Sequence, residues 1–364
     1  MAKKVSRSIR NAGAAIGNFG TWLPKASRHF FEELPPATRR LRSWTFTYRG
    51  LLTFSGLFGL CLVPLIQKSE YWLGIFVLAN IWVIYAASWD FLAGYVGQVS
   101  FGHAAFLGIG GYATAGLVRY FGQPWWVSVF AGAFMAVVLG LTVGVPCLRL
   151  KGPYLALGTL AFSLILNELF QSPALQPWLG ASGGVSGVPP LSPDPVVEYL
   201  VVLAFMVASL VVMISITNSR VGTVFRSIRD DEISAEASGI NTTKYKLVAF
   251  MISAFFAGVA GSLFALHFRG VSPPVFGTLY SFEAIVMAAL GGIATIFGAI
   301  GGAYLFTFLD TFLGDLTIGS FSLAGLSVFI FAVILVLVFR FASGGFMKPF
   351  VERLKEFIDI LRGK

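Results

Sequence analysis

Long apolar runs, each about as long as a membrane crossing, follow one another along most of this chain. A transmembrane helix needs about 20 predominantly apolar residues. The runs fall at residues 51–66, 71–89, 101–118, 125–147, 153–171, 196–217, 246–268, 280–312 and 321–340. Only 12% of the 364 residues are charged, which is about half the share found in soluble domains. The pattern excludes a soluble enzyme and predicts an all-α polytopic membrane protein.

The positions of Lys and Arg indicate how often the chain crosses. They concentrate in the stretches 1–49, 218–246 and 340–364, whereas 172–195 contains none. Because cytoplasmic segments carry the excess of Lys and Arg, we expect both termini and the stretch 218–246 in the cytoplasm. Nine crossings would place the termini on opposite sides.

The conflict disappears if the run 280–312 is two short crossings, about 280–293 and 296–312, that meet near Gly291 and Gly292. About ten transmembrane helices then result, six before the central loop 218–246 and four after it.

The same pattern divides the chain into three parts. A basic cytoplasmic extension (1–48) precedes the transmembrane domain (49–341), and a basic cytoplasmic tail (342–364) follows it. The N-terminus lacks the apolar core and cleavage site of a signal peptide. We favour a retained extension near anionic lipid; an organelle transit sequence is the alternative, because the start is rich in Arg and Ser.

Charge and cysteine content narrow the expected ligands. The formal net charge of +9 is explained by orientation in the membrane, so no nucleic-acid partner is expected. Cys61 and Cys147 both lie inside apolar runs. A cysteine in that setting behaves as a small hydrophobic residue, so neither a disulfide nor a metal site is expected.

The central loop has the pattern of two short amphipathic helices. The first carries an apolar stripe at i, i+3, i+4 and i+7, made by Val221, Val224, Phe225 and Ile228. The second places Ile233, Ala237 and Ile240 on one side and Glu232 and Glu236 on another. Such a pair either lies flat on the lipid surface or binds a protein partner. The mixture of acidic and basic residues favours the protein partner.

Several stretches resemble the permease family of branched-chain amino acid ABC importers, in the branch that pairs with a second, related permease. They read GYVGQVSFGHAAFLGIGGYA from Gly94, LRLKGPYLALGTLAF from Leu148, RDDEISAEASGINTTKYKLVAF from Arg229, VSPPVF from Val271 and LGGIATIFGAIGGA from Leu290. The central loop is also similar to the coupling loop of ABC importer permeases. The resemblance covers about residues 75–341.

The resemblance implies a type II ABC importer permease in the cell membrane of a prokaryote. Such a subunit forms half of the translocation path for branched-chain or related amino acids, and near relatives carry urea or short amides. The implied partners are two ATPase subunits, a second related permease and an extracytoplasmic solute-binding protein. The residues assigned to ATPase coupling are Arg220, Val224, Phe225, Ile228, Arg229, Asp231, Glu232, Glu236 and Gly239.

The sequence itself places ATP chemistry elsewhere. No G-x-x-x-x-G-K-[ST] run occurs, and the only Gly-Lys pair is Gly363-Lys364. The chain therefore has no phosphate-binding loop of that type. We expect it to be a transport subunit and not an enzyme, with ATP and Mg²⁺ bound by partner chains and no cofactor of its own.

A small set of polar residues and glycines inside the apolar runs forms the candidate translocation path. The set comprises Gln98, Ser100, His103, Glu283, Gly291 and Gly292. Intramembrane ionisable groups are functional candidates by default, and glycine breaks at membrane depth line paths. The alternative for the first three is structural, namely hydrogen bonding to freed backbone where a helix begins. No catalytic partner at suitable spacing accompanies His103.

Two other classes of function are weighed against the importer. An ion-coupled secondary transporter would have carboxylates grouped near the midplane, whereas the acidic residues here are scattered near boundaries. A scaffold without transport function is disfavoured because the helices are dense in glycine and look able to move.

Overall fold

The computed structural model describes residues 59–64, 69–147, 152–315, 317–318 and 321–322, and the single positions 333, 336 and 340. The predicted extension 1–48 and tail 342–364 lie outside the described residues. Most of the predicted crossings 51–66 and 321–340 lie outside them as well.

Helices account for nearly all of the described structure. The longer ones are α1 (Glu70–Val96), α2 (Ala104–Phe121), α3 (Trp125–Cys147), α4 (Pro153–Gln171), α5 (Pro195–Thr217), α6 (Arg220–Asp230), α7 (Glu232–Ala237), α8 (Thr242–His267), α9 (Thr278–Gly291) and α10 (Ile296–Asp315). Among the described residues, six are long and apolar enough to cross a membrane: α1, α3, α4, α5, α8 and α10. The prediction of an all-α polytopic membrane protein is confirmed.

The run 280–312 is interrupted, as the charge argument required. Helix α9 ends at Gly291 and α10 begins at Ile296. Gly292 has a φ of +110° and Ala294 a φ of +63°, so the backbone between the helices leaves helical geometry. The predicted division of this run into two helices is confirmed, although only α9, with 14 residues, is short, and α10 has 20.

Short elements connect the long helices. Strand β1 (Val185–Ser186) pairs antiparallel with β2 (Gly270–Val271), with Val185 opposite Val271. A hairpin of β3 (Thr317–Ile318) and β4 (Phe321–Ser322) follows α10. A one-turn helix (Gln176–Leu179) and three 3₁₀ turns (Pro173–Leu175, Ala181–Gly183 and Pro273–Phe276) complete the connections.

Helices α1 and α8 form the centre of the bundle. Within the most apolar window of each helix, 89% of the α1 residues and 72% of the α8 residues are buried, against 33% for α4. Helices α3 and α4 expose large apolar side chains such as Phe134 and Ile165. Inside a bilayer such a surface faces lipid or another membrane subunit.

Glycine lets α2, α3 and α8 approach one another closely. A Cβ atom on Gly110 would overlap the Gly258 carbonyl, and one on Gly261 would overlap the Leu107 carbonyl. The Thr114 and Ser262 hydroxyls lie 2.8 Å apart at this junction. Close backbone approach and interhelical hydrogen bonds are the main sources of helix association in lipid.

We therefore expect opposite effects from two identical substitutions. Gly261→Ala forces a methyl group into the Leu107 carbonyl and should cost about 1–3 kcal/mol or more, the usual range for overpacking. Gly116→Ala is the matched control, because no atom of the described residues lies within 4 Å of a Cβ at Gly116; it should be neutral or stabilising by up to about 1 kcal/mol. Thermal unfolding of the detergent-solubilised protein measures both. Equal melting temperatures would contradict this account of the junction.

Candidate functional site

The apolar stripe of α6 anchors the central loop to the rest of the chain. Phe225 is fully buried, with its ring 5.8 Å from that of Phe91 on α1 and 6.3 Å from that of Tyr245 on α8. Ile228 is buried as well, and Val224 is half-buried. Three of the residues assigned to coupling therefore pack partly or wholly within their own chain.

The arginines of α6 hold the ends of two membrane helices. The Arg229 Nη1 atom donates to the Gly94 carbonyl at 2.9 Å, while its Nη2 atom pairs with Asp230 Oδ1 at 2.9 Å. The Arg226 Nη1 atom donates to the Thr217 carbonyl at 3.1 Å. Carbonyls in the last turn of a helix lack intrahelical partners and attract cations. Arg220, also assigned to coupling, is exposed at the start of α6.

Asp231 caps the N-terminus of α7. Its carboxylate accepts hydrogen bonds from the Ile233 and Ser234 backbone N–H groups at 2.9 and 3.1 Å, and from the Ser234 hydroxyl at 2.6 Å. These bonds lower the pKa of Asp231 below its ordinary value, and the bond from the Ser234 hydroxyl has the largest effect. Because the folded-state pKa is depressed, the cap is present at neutral pH and is lost only as the pH falls below about 4.

The two glutamates of α7 bind the start of α8. Glu232 Oε2 lies 2.6 Å from the Lys246 Nζ atom, and the Thr242 hydroxyl donates to Glu236 Oε1 at 2.6 Å. Lys246 and Thr242 are both buried. The sequence analysis assigns both acids to a surface that binds a partner. In the structure each of them contacts α8 of this chain.

The exposed apolar side of α7 is formed by Ile233 and Ala237. Ile233 is 77% exposed, and Ala237 is exposed one turn later. Gly239, with a φ of +83° and open space around it, follows the helix. Ile233 was not in the set assigned to coupling. Its spacing of four from Ala237, out of phase with Glu232 and Glu236, was the signal that could have identified it.

His103 lies in a buried polar cluster where α2 begins. Its Nε2 atom is 2.8 Å from the Ser88 hydroxyl, which itself donates to the Tyr85 carbonyl at 2.7 Å. The Ser88 hydroxyl must therefore accept from His103 Nε2–H, which leaves Nδ1 as an acceptor. Among the described residues Nδ1 has no hydrogen-bond partner.

Hydroxyl groups of distant helices pair the backbone around His103. The Phe101 N–H donates to Thr159 Oγ1 on α4, and the Ala104 N–H donates to Ser281 Oγ on α9, each at 3.1 Å. Ser100 is buried and its carbonyl accepts from the Trp89 indole at 2.8 Å. Gln98 is half-buried.

The remaining path candidates lie on or just after α9. Glu283 is half-buried, and its buried Oε2 atom has no hydrogen-bond partner among the described residues. A Cβ atom on Gly291 would overlap the Gly298 carbonyl, and Gly292 begins the turn with its positive φ. Because Ser281 contacts the start of α2, Glu283 and His103 lie on adjoining helices.

Asp90 on α1 was not found by sequence reasoning. It is fully buried, and its Oδ1 atom accepts from the Ala294 N–H, 204 positions away, at 2.6 Å. An acid directly after the predicted run 71–89, followed by the apolar residues Phe91 and Leu92, was the available signal. Within the described part of the chain, no group of three or more His, Cys, Asp or Glu side chains could hold a metal ion.

Comparison with known proteins identifies related sequences. The family described as "Branched-chain amino acid transport system / permease component" matches residues 71–339. The chain is 31% identical over 260 residues to the high-affinity branched-chain amino acid transport system permease protein LivM of Escherichia coli (strain K12), covering 64% of this chain and 61% of LivM.

Two further relatives carry similar names. The chain is 27% identical over 249 residues to the permease protein LivH of Escherichia coli (strain K12), covering 63% of this chain and 80% of LivH. It is 32% identical over 163 residues to the permease protein BraD of Pseudomonas aeruginosa, covering 44% of this chain and 51% of BraD. The match thus spans about three fifths of LivM. No solved structure matches the chain.

The cap on α7 gives a local prediction. Asp231→Ala should increase hydrogen exchange in the peptide that contains Ile233 and Ser234 by roughly fivefold, the usual effect of losing one helix cap. Asp231→Asn is the matched control, since asparagine caps helices about as well. Exchange is followed by mass spectrometry at neutral pH. Exchange in Asp231→Ala equal to that of the wild-type protein would show that Asp231 does not hold α7.

Proposed function

The chain belongs to the family of branched-chain amino acid transport system permease components, and from this we propose that it is a permease subunit of an ATP-driven ABC importer. It forms half of a translocation path for branched-chain amino acids. The observation that carries the proposal is the family match over residues 71–339, which includes the central loop and the α9–α10 pair. The loop geometry supports it, since α6 is anchored while α7 offers an exposed apolar side.

The proposed topology has ten crossings with both termini in the cytoplasm. One end of the bundle holds the contacts of Arg229 with Gly94 and of Asp90 with Ala294. The opposite ends of α1 and α10 meet where the Tyr71 hydroxyl donates to Asp315 at 2.5 Å. Because the central loop is basic, the first end is assigned to the cytoplasm, and the membrane is that of a prokaryotic cell.

A second permease and other subunits complete the proposed importer. LivM and LivH are both named as permease proteins of a high-affinity branched-chain amino acid transport system, and this chain is similar to each. We assign the exposed side of α7 to an ATPase subunit, with one ATPase for each permease, and solute delivery to an extracytoplasmic binding protein. The ATPase subunits bind ATP and Mg²⁺.

Transport in this scheme follows from differential binding. A nucleotide-bound ATPase that binds the central loop more tightly in one conformation shifts the population toward that conformation. The path itself is sparse in polar side chains, and tight binding there would trap the solute. Selectivity is therefore assigned to the binding protein, so the sequence of this chain carries little information about substrate identity.

Reconstitution tests the function. Proteoliposomes containing this chain, the second permease, the ATPase and the binding protein should take up labelled leucine only when ATP reaches the ATPase. Uptake that persists without the ATPase subunits would instead indicate an ion-coupled transporter. Labelled urea and acetamide are the controls for substrate. Their transport in place of leucine would indicate that the chain carries urea or short amides.

A charged substitution on the exposed apolar side of α7 tests the proposed ATPase-binding surface. Ile233→Glu places a charge at the centre of the exposed side of α7 and should weaken assembly with the ATPase by roughly tenfold, as expected for a central interface residue. Gln123→Glu is the control, because Gln123 is exposed in the α2–α3 connection at the opposite end of the bundle. Co-purification of the tagged complex measures assembly. Unchanged assembly of the Ile233 variant would remove α7 from the interface.

A further inference from the structure

The last turns of α1 contact the central loop on one side. The Arg229 Nη1 atom donates to the Gly94 carbonyl at 2.9 Å. The Arg229 Cγ atom lies 3.0 Å from the position that a Cβ on Gly97 would occupy. The arginine therefore lies directly on the backbone of the helix end, with no intervening side chain. Its charge suits the C-terminal end of the helix dipole.

The same turns contact the α9–α10 turn on the other side. A Cβ on Gly94 would lie 2.6 Å from the Ala294 nitrogen and would also overlap Asp90 Oδ1. Asp90 and Gly94 are four residues apart, so they share one face of α1. Asp90 Oδ1 accepts the Ala294 N–H at 2.6 Å. Gly94 thus contacts both Arg229 of the central loop and the turn between α9 and α10.

The α9–α10 turn is held in an unusual backbone conformation. Ala294 has a φ of +63°, which residues with a Cβ rarely adopt and which persists only when surrounding contacts fix it. The Thr295 hydroxyl donates to the Gly292 carbonyl at 2.5 Å, and Asp90 supplies the contact from outside the turn. Removing the Asp90 acceptor should release the turn.

A movement of this turn would reach the path. A Cβ on Gly291 would overlap the Gly298 carbonyl, and one on Gly302 would overlap the Met287 carbonyl. Helices α9 and α10 are therefore in direct backbone contact near the turn, so their adjoining ends are expected to shift together. Helix α9 carries Glu283 and the Ser281 hydroxyl that caps the start of α2.

We propose that Asp90 is a positioning residue that transmits displacement of α6 to the α9–α10 turn, through Arg229 and the Gly94 backbone. The proposal rests on the proposed function, in which an ATPase moves the central loop. Beyond Arg229, the contacts from Gly94 to the turn are made by glycine backbone and a buried carboxylate, so that part of the route contains no long, flexible side chain to absorb a displacement. Asp90 therefore couples the loop to the path without touching either the ATPase or the solute.

The experiment uses the complete importer in proteoliposomes and measures leucine taken up per ATP hydrolysed. Asp90→Ala should lower this ratio roughly tenfold, within the range of coupling energies carried by contact networks, while assembly and ATP hydrolysis persist. Asp90→Asn keeps an acceptor oxygen for Ala294 and should retain most of the ratio. Asn80→Ala is the matched control, because Asn80 is also buried on α1 and also accepts a hydrogen bond from a distant segment, from Tyr304 on α10 at 2.6 Å, but far from the loop.

A double substitution separates transmission from general damage. If Asp90 and Arg229 act in one series, Asp90→Ala combined with Arg229→Ala should lower the ratio no further than the more severe single variant. If the two losses multiply, the residues act independently and the proposal is wrong. An equal loss in Asp90→Ala and Asn80→Ala would overturn it too.

A labelling measurement decides the matter even if the wild-type importer moves no leucine, a result that would end the proposed function. In a background lacking Cys61 and Cys147, Ile293→Cys, at an exposed position of the same turn, is labelled with a membrane-impermeant maleimide, with and without ATP. The ATP-dependent change in labelling should survive Asp90→Asn and disappear in Asp90→Ala. No ATP-dependent change in the parent, or the same change in both variants, would contradict transmission to this turn.

Discussion

The need to pair every backbone polar group inside the bilayer governs this structure. Lipid offers no hydrogen bonds, so helices are the default and each break must be repaired by side chains. Between α1 and α2 the repair comes from Thr159 and Ser281. Between α9 and α10 it comes from Asp90. Between α8 and α9 the Phe276 carbonyl accepts from the Ser163 hydroxyl at 2.8 Å. Many of the buried polar side chains thus form hydrogen bonds with backbone groups.

Such repairs require close approach, which explains why glycine and short polar residues occur together. A Cβ on Gly102 would overlap the Thr159 carbonyl, beside the hydroxyl that pairs Phe101. A Cβ on Gly94 would likewise overlap the Ala294 nitrogen, which donates its hydrogen to Asp90 Oδ1. A path through this bundle therefore has few uncommitted polar atoms. Glu283 Oε2 and His103 Nδ1 are among them, which keeps both as candidates for contact with a passing solute.

Sequence reasoning located what depends on local pattern and on charge. Apolar runs predicted the long helices of the described residues, and the expectation that both basic tails share one side predicted the break near Gly292. It could not locate what depends on tertiary contact. Asp90 and Ala294 are 204 positions apart, and no periodicity reports that pairing. The apolar stripe of α6 was found correctly, but whether a stripe faces a partner or its own chain depends on what lies beneath it.

The two helices of the central loop show this difference directly. Helix α6, with the stronger amphipathic pattern, inserts Phe225 between α1 and α8 and is the anchor. Helix α7, only six residues long, has too little apolar surface to fold alone and is held by Asp231 and by the Glu232–Lys246 pair. The Glu232–Lys246 pair joins α7 to α8, whereas α7 is joined to α1 through α6, whose Arg229 bonds the Gly94 carbonyl. A force applied at Ile233 would therefore reach α8 through the Glu232–Lys246 pair and α1 through α6, and these are the two helices at the centre of the bundle.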